Sequence, residues 1–137
     1  TYGFTDPASA PPAPDALNFR RAELLHNVMV EYGHEGIPVH ITETGWNDDP
    51  RWSLAVRPSQ RAIYTIDGLN IAADWEWLDQ MCIWMLRTPT LIQGHQDGYT
   101  MITPGFQRKA IFYAVQNYAR GWEGSETLWY PIPTRDE

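Results

Sequence analysis

The stretch Pro38-Val-His-Ile-Thr-Glu-Thr-Gly-Trp46 decides how this chain is read. It is short, rich in β-branched residues and bounded by Pro38 and Gly45, the pattern of a buried strand whose first position is a proline. A strand is therefore expected over Ile37–Glu43. Alternation puts Val39, Ile41 and Glu43 on one face, so two apolar side chains lead up to a carboxylate at the strand's C-terminal end. A carboxylate placed there is costly unless it is paired or used.

On the N-terminal side, apolar residues at Leu24, Leu25, Val28, Met29 and Tyr32 recur at helical spacing. They predict an amphipathic helix over Leu17–Tyr32, with Asp15 or Asn18 as caps and Gly33 and Gly36 as stops. Residues 5–16, TDPASAPPAPDA, repeat proline too often for a helix and are expected as an extended loop. On the C-terminal side, a loop over Thr44–Arg57 leads to Pro58, placed where a first-turn proline opens a helix reaching Asp74. Ala62, Ile66, Leu69 and Ala73 form its expected buried stripe. Gln80–Leu86 is a nearly continuous apolar run, as in a parallel strand covered on both faces. A long loop over Arg87–Gly105 precedes a last helix, Gln107–Arg120, whose stripe is Ala110, Ile111, Ala114, Val115 and Tyr118. Residues 122–137, with Trp129 and Tyr130, have no clear period and read as an irregular tail.

Helix, strand, helix, strand, helix, with strand-to-helix loops much longer than helix-to-strand ones, is the asymmetry of βα units that carry function at one end. The expected class is α/β, and the expected architecture is the C-terminal part of a (β/α)8 TIM barrel. A complete barrel takes eight strand–helix pairs and about 250 residues, against 137 residues here. Residues 1–137 are accordingly read as one fragment of a single barrel domain, roughly from the end of strand six to helix eight, incomplete by itself.

Composition narrows the function. The chain is 43% hydrophobic and 20% charged, enough to build a core. Its formal charge is −7 and Lys109 is its single lysine, so the cationic patch that nucleic acid or an anionic membrane surface requires is not expected. No apolar run approaches the roughly 20 residues of a membrane helix, and any export signal would lie outside these residues. Cys82 is the one cysteine; no internal disulfide can form, and it is expected as a small core residue.

With these elements in place, Pro38-Val-His-Ile-Thr-Glu-Thr-Gly-Trp46 resembles the end of strand seven in the retaining glycoside hydrolases of clan A, the cellulase-like barrel group. The Gly-ended helix before it is similar to helix six, Cys82-Ile-Trp84 to strand eight, and Asp97-Gly-Tyr99 with Arg108-Lys109-Ala110 to the run into helix eight. The resemblance covers nearly the whole chain. It implies that Glu43 is a nucleophile attacking the anomeric carbon. It also implies that Trp84 floors the subsite of the attacked sugar and that Tyr2 hydrogen-bonds and orients the nucleophile. Trp46, with Trp52 and Asp48 in the same loop, is a further candidate for sugar contact. Such hydrolysis uses no cofactor and no metal.

A retaining mechanism requires a second carboxyl about 5 to 5.5 Å from the first. The resemblance puts it in an Asn-Glu segment on strand four, which would lie upstream of Thr1. Asp97 or Asp49 opposite Glu43 is the local substitute, in an inverting arrangement with a wider gap; Glu76 lies at the wrong end of its strand. For each residue a plainer reading stands beside the functional one. Glu43 could cap a loop or pair with an arginine, and Trp46, Trp52 and Trp84 could be packing residues. His34, Glu35 and His40 do not make a zinc helix, because Gly36 and Pro38 interrupt the required turn. No Gly-x-Ser-x-Gly or phosphate-cradling Gly-Lys-Ser/Thr motif occurs. The expectation is thus a glycosidase part acting on a poly- or oligosaccharide. The rivals are a non-catalytic sugar-binding barrel and a half-barrel that associates with itself or with an N-terminal partner segment.

Overall fold

A computed structural model describes residues 1–121. Its elements follow in the order α1 (Arg21–Glu31), β1 (Val39–Thr44), α2 (Pro58–Ala73), β2 (Leu78–Ile83), a 3-10 turn (His95–Tyr99) and α3 (Ala110–Ala119). This is a small α/β unit in which β1 and β2 pair in parallel, Val39 opposite Leu78 and Thr44 opposite Ile83, with register shifts between. Tyr2 adds a parallel bridge on the other side of β1, to Gly45. The expected tail lies outside the described residues.

The helices form where the apolar periods put them, with different edges. α1 begins at Arg21, not Leu17. The expected caps are not used: Asn18 turns inward and donates Nδ2 to the Pro11 carbonyl at 2.8 Å. Gly33 ends the helix as expected, with φ at +75°, a conformation only glycine takes freely. Its N–H reaches the Val30 carbonyl while the His34 N–H reaches Met29, a Schellman closure. No residue of α1 is buried; Leu25 is 59% exposed and Val28 47%. The apolar face is real, but no described element lies over it.

In α2, Pro58 stands in the first turn as expected. The buried face is Arg61, Ala62, Thr65, Gly68 and Ala72. The expected stripe is thus displaced by about one residue, with Ile66 and Leu69 half-buried and Ala73 exposed. The cause is Arg61, whose side chain is inward, while Gly68 makes room for Trp46 and Phe19. α3 starts at Ala110 and not Gln107, because residues 103–107 close a turn in which Thr103 N–H binds the Gln107 carbonyl. It buries Ile111 and Ala114 against α2.

The second strand also departs from expectation. β2 ends at Ile83, and its residues are at most half-buried, Cys82 among them. The apolar run continues through Trp84, Met85 and Leu86, but only Trp84 still bonds β1, through its N–H to the Thr44 carbonyl at 2.7 Å. Met85 donates to Tyr99, and the Met85 and Leu86 carbonyls accept from Met101 and Ile102. The run therefore switches partners, from strand to loop. The Trp84–Met85 peptide is cis.

The core centres on Ala8, Phe19, Trp46, Val56 and Ala72. Beneath it runs a column of stacked rings: Phe19 on Trp75 at 5.4 Å, Trp75 on Trp77 at 4.8 Å, and Trp77 on His26 at 4.7 Å between centroids. Offset stacking of this kind adds to the area each ring buries.

The most buried ionic group lies between loop and helices. Arg61, 1% exposed, donates Nη1 to Asp48 Oδ2 at 3.0 Å and to the Thr100 carbonyl at 3.0 Å, and Nη2 to the Tyr99 carbonyl. Lys109 Nζ meets Asp48 Oδ1 at 2.5 Å. Asp48 therefore bridges two cations, one through each carboxylate oxygen. Asp48→Ala is expected to destabilise the fold by about 3 kcal/mol or more, since it strands a buried guanidinium. Denaturant unfolding would measure it, and a loss below about 1 kcal/mol would show that the cluster does not hold the loop.

Candidate functional site

Three segments bring residues to the C-terminal end of the strands. β1 ends in Glu43 and Thr44. The N-terminal segment lies beside it, with Thr1 N donating to the Glu43 carbonyl at 2.7 Å and Gly3 N–H to the Gly45 carbonyl at 3.3 Å. β2 runs out on the far side at Trp84. Gly45 sits at the crossing point: its φ is +153°, and a Cβ there would lie 2.9 Å from the Trp84 carbonyl oxygen. Only a residue without a side chain fits that approach without displacing the strand end.

The Glu43 carboxylate is exposed and accepts a hydrogen bond from the Tyr2 hydroxyl, 2.8 Å to Oε2. Among the described residues no arginine or lysine pairs with it. It stands at the rim of a hollow of about 800 Å³, lined among others by Tyr2, Phe4, Leu25, Val28 and Ile41. Burial first, and then the neighbouring Glu43 carboxylate, push the Tyr2 phenol well above its ordinary range, because a phenolate there would be poorly solvated and repelled. Tyr2 is thus a hydrogen-bond donor at every ordinary pH.

Of the residues singled out in the sequence, Tyr2 and Glu43 are joined directly. Trp84 is carried at the same end, half-buried, with its carbonyl against Gly45; it is not among the residues lining the hollow. Trp46 is elsewhere. It is 2% exposed, its Nε1 donates to the Asp6 carbonyl at 2.7 Å, and its ring packs on Phe19 and Tyr64. Its place in a sugar-facing wall is corrected to a place in the core, because the ring is almost fully buried and its one donor is already engaged there. Asp48 is likewise occupied, by Arg61 and Lys109.

The two aspartates weighed as partners for Glu43 are used in loop structure. Asp97 accepts from the N–H groups of Ile92 and Gln93. Asp49 holds Arg51 through both oxygens, and these hydrogen bonds bring its carboxyl down to about 2. His40 faces Asp79 on the neighbouring strand at 3.5 Å.

Sequence reading missed a set of rings around Tyr2. Tyr99 lies 5.3 Å from Tyr2 and 6.0 Å from Trp52, and Phe4 lies 6.2 Å from Tyr2 and 6.1 Å from Trp52. The signal was present in Tyr2-Gly3-Phe4 and in the aromatic loop at Trp52, though only the fold shows that they meet. Arg61 was also missed; an arginine directly before the buried Ala62 was the clue.

No family model matches this sequence, and no curated protein matches it. No helix among the described residues is long and apolar enough to cross a membrane.

Two outcomes follow from the ionisation of these groups. Glu43→Gln removes the charge but keeps the shape, so the Tyr2 phenol should titrate at lower pH, with the burial component left. An NMR titration of Tyr2 tests this, and an unmoved midpoint would mean the hydrogen bond is absent in solution. Asp49, whose folded value lies near 2 against an ordinary 3.8, contributes stability that is complete above the ordinary value and lost as pH falls through the folded one. Arg51→Ala should therefore flatten the fall in stability between about pH 4 and pH 2, read by urea unfolding at several pH values.

Proposed function

We propose that this chain supplies the nucleophile-bearing part of a retaining glycoside hydrolase of the clan A type, with Glu43 attacking the anomeric carbon of a β-linked sugar. The observation that carries this reading is the Tyr2 hydroxyl set 2.8 Å from Glu43 Oε2 at the rim of an open hollow. A donor on one oxygen fixes the carboxylate's orientation and leaves the other oxygen free to form the glycosyl ester. Trp84, carried at the same end of the strands but outside the lining of the hollow, is proposed to floor the attacked ring, whose CH face suits an indole, where that ring extends beyond the hollow toward β2.

In the first half of the reaction a Glu43 oxygen bonds to C1 as the C1–O bond to the leaving group breaks, and a carboxylic acid protonates the departing oxygen. In the second half, water attacks C1, and the same carboxyl takes its proton while Glu43 leaves. With Asp49 and Asp97 already engaged, that acid comes from outside the described residues. This engagement also favours a second reading, in which the chain binds carbohydrate without cleaving it.

An activated aryl glycoside separates the two, since its phenolate leaves without protonation. A 2-deoxy-2-fluoro dinitrophenyl β-glycoside, which traps the ester, should modify Glu43, and Glu43→Gln should abolish the adduct in intact-mass and peptide analysis. Binding of the sugar without any adduct would support the second reading and overturn the first.

A further inference from the structure

We infer that Tyr99 is a positioning residue for the carboxylate at the end of β1, acting through Tyr2 by setting the phenol ring so that its hydroxyl stays on Glu43 Oε2; this rests on the reading of Glu43 given above. The need for such a residue follows from the exposure of the site. A single hydrogen bond to a solvated carboxylate competes with water for both partners and holds a rotating phenol only weakly. Packing must therefore fix the Tyr2 ring if the 2.8 Å contact is to persist.

Two rings lie next to that of Tyr2. Phe4 is 6.2 Å away, tilted, and keeps part of its surface in solvent. Tyr99 is closer, at 5.3 Å, meets Tyr2 edge-on at 64°, and is 6% exposed. Its Cδ1 also lies 3.8 Å from where a Cβ would stand on Gly45, the residue to which Tyr2 is bridged. One buried ring thus borders both the phenol and the backbone two residues beyond Glu43. Tyr99 has no part in the apolar core centred on Phe19 and Trp46. Among the described residues, its ring neighbours are Tyr2 and Trp52, both only half-buried.

The backbone that carries this ring is held on every side. The Tyr99 carbonyl accepts from the Met85 N–H at 3.0 Å and from Arg61 Nη2. The Thr100 carbonyl accepts from Arg61 Nη1 at 3.0 Å, and the Gly98 carbonyl from the Asp48 N–H at 3.2 Å. Three successive carbonyls are thereby engaged by Arg61 or Asp48. Contacts then run without a break from the buried ion pair through the Tyr99 backbone and ring to Tyr2 and Glu43. Tyr99 acts in this line as a neutral ring, since burial pushes its phenol up to about 12. Phenylalanine should therefore serve in its place, and an aliphatic side chain should not.

The test is a double-mutant cycle on the full 137-residue chain. It is read by the rate of Glu43 trapping with the 2-deoxy-2-fluoro dinitrophenyl β-glycoside and by the Tyr2 titration midpoint in NMR. Tyr99→Leu should slow trapping about tenfold while leaving the reagent's dissociation constant within about twofold. Tyr99→Phe should stay within about twofold of the unmodified chain in both. In a Tyr2→Phe background, Tyr99→Leu should add no further loss, because the side chain it acts through is gone. Glu43→Gln should lower the Tyr2 midpoint less than about half as far alongside Tyr99→Leu as it does alone. Tyr99→Met, whose unbranched chain adapts to irregular space, replaces Tyr99→Leu if that variant does not fold. An unchanged trapping rate in Tyr99→Leu, a Tyr99→Phe variant equally slow, or losses that add in the Tyr2→Phe background would each overturn the positioning role while leaving Glu43 as proposed. If even the unmodified chain forms no adduct, the Glu43 reading fails, and the Tyr2 midpoints alone decide whether Tyr99 holds Tyr2 on the carboxylate.

Discussion

Asp48 held between Arg61 and Lys109 is the contact on which the upper end of this molecule depends. A sheet of two parallel strands with one bridging residue has little stability of its own. The strand ends must therefore be fixed by the loops and helices beyond them. Asp48 lies four residues past β1, and its carboxylate joins the loop to α2 through Arg61 and to the start of α3 through Lys109. Two further guanidinium N–H groups go to the Tyr99 and Thr100 carbonyls, which tie in the 3-10 turn as well. Burial lowers the proton affinity of both cations, and Asp48 opposes that shift, so the three charges persist as a unit.

That anchoring explains how neighbouring residues come to such different ends. Between Glu43 and Trp46 the chain passes from the rim of an open hollow to the middle of the core. Thr44 completes the strand ladder, Gly45 slips past the Trp84 carbonyl, and Trp46 drops onto Phe19. The same short motif therefore passes from an exposed carboxylate to a packed core residue within three positions.

Much of this was legible in the sequence where one residue's chemistry decides the outcome. Pro58 opens α2 and Gly33 closes α1 because each has a backbone constraint of its own. The pairing of Tyr2 with Glu43 is implied by the resemblance, and the two side chains are in hydrogen-bond contact. The features that stayed hidden depend on partners distant in the chain. Trp46 could be assigned to a sugar wall or to the core on chemistry alone; the Asp6 carbonyl and Gly68 decide it. Met85 and Leu86 carry strand propensity, but the loop at Tyr99–Ile102 claims their hydrogen bonds. Arg61 reads as a solvent residue until Asp48 is seen opposite, and the apolar stripe of α1 shows no sign of whether anything covers it.

The ring column of Phe19, Trp75, Trp77 and His26 has a practical side. Two indoles lying nearly parallel at 4.8 Å couple their electronic transitions, giving the domain a built-in chiroptical signature at the start of β2. Since Trp52 and Trp84 sit at the opposite end of the strands, that signature reports cohesion of the base separately from events at the carboxylate, within one spectrum.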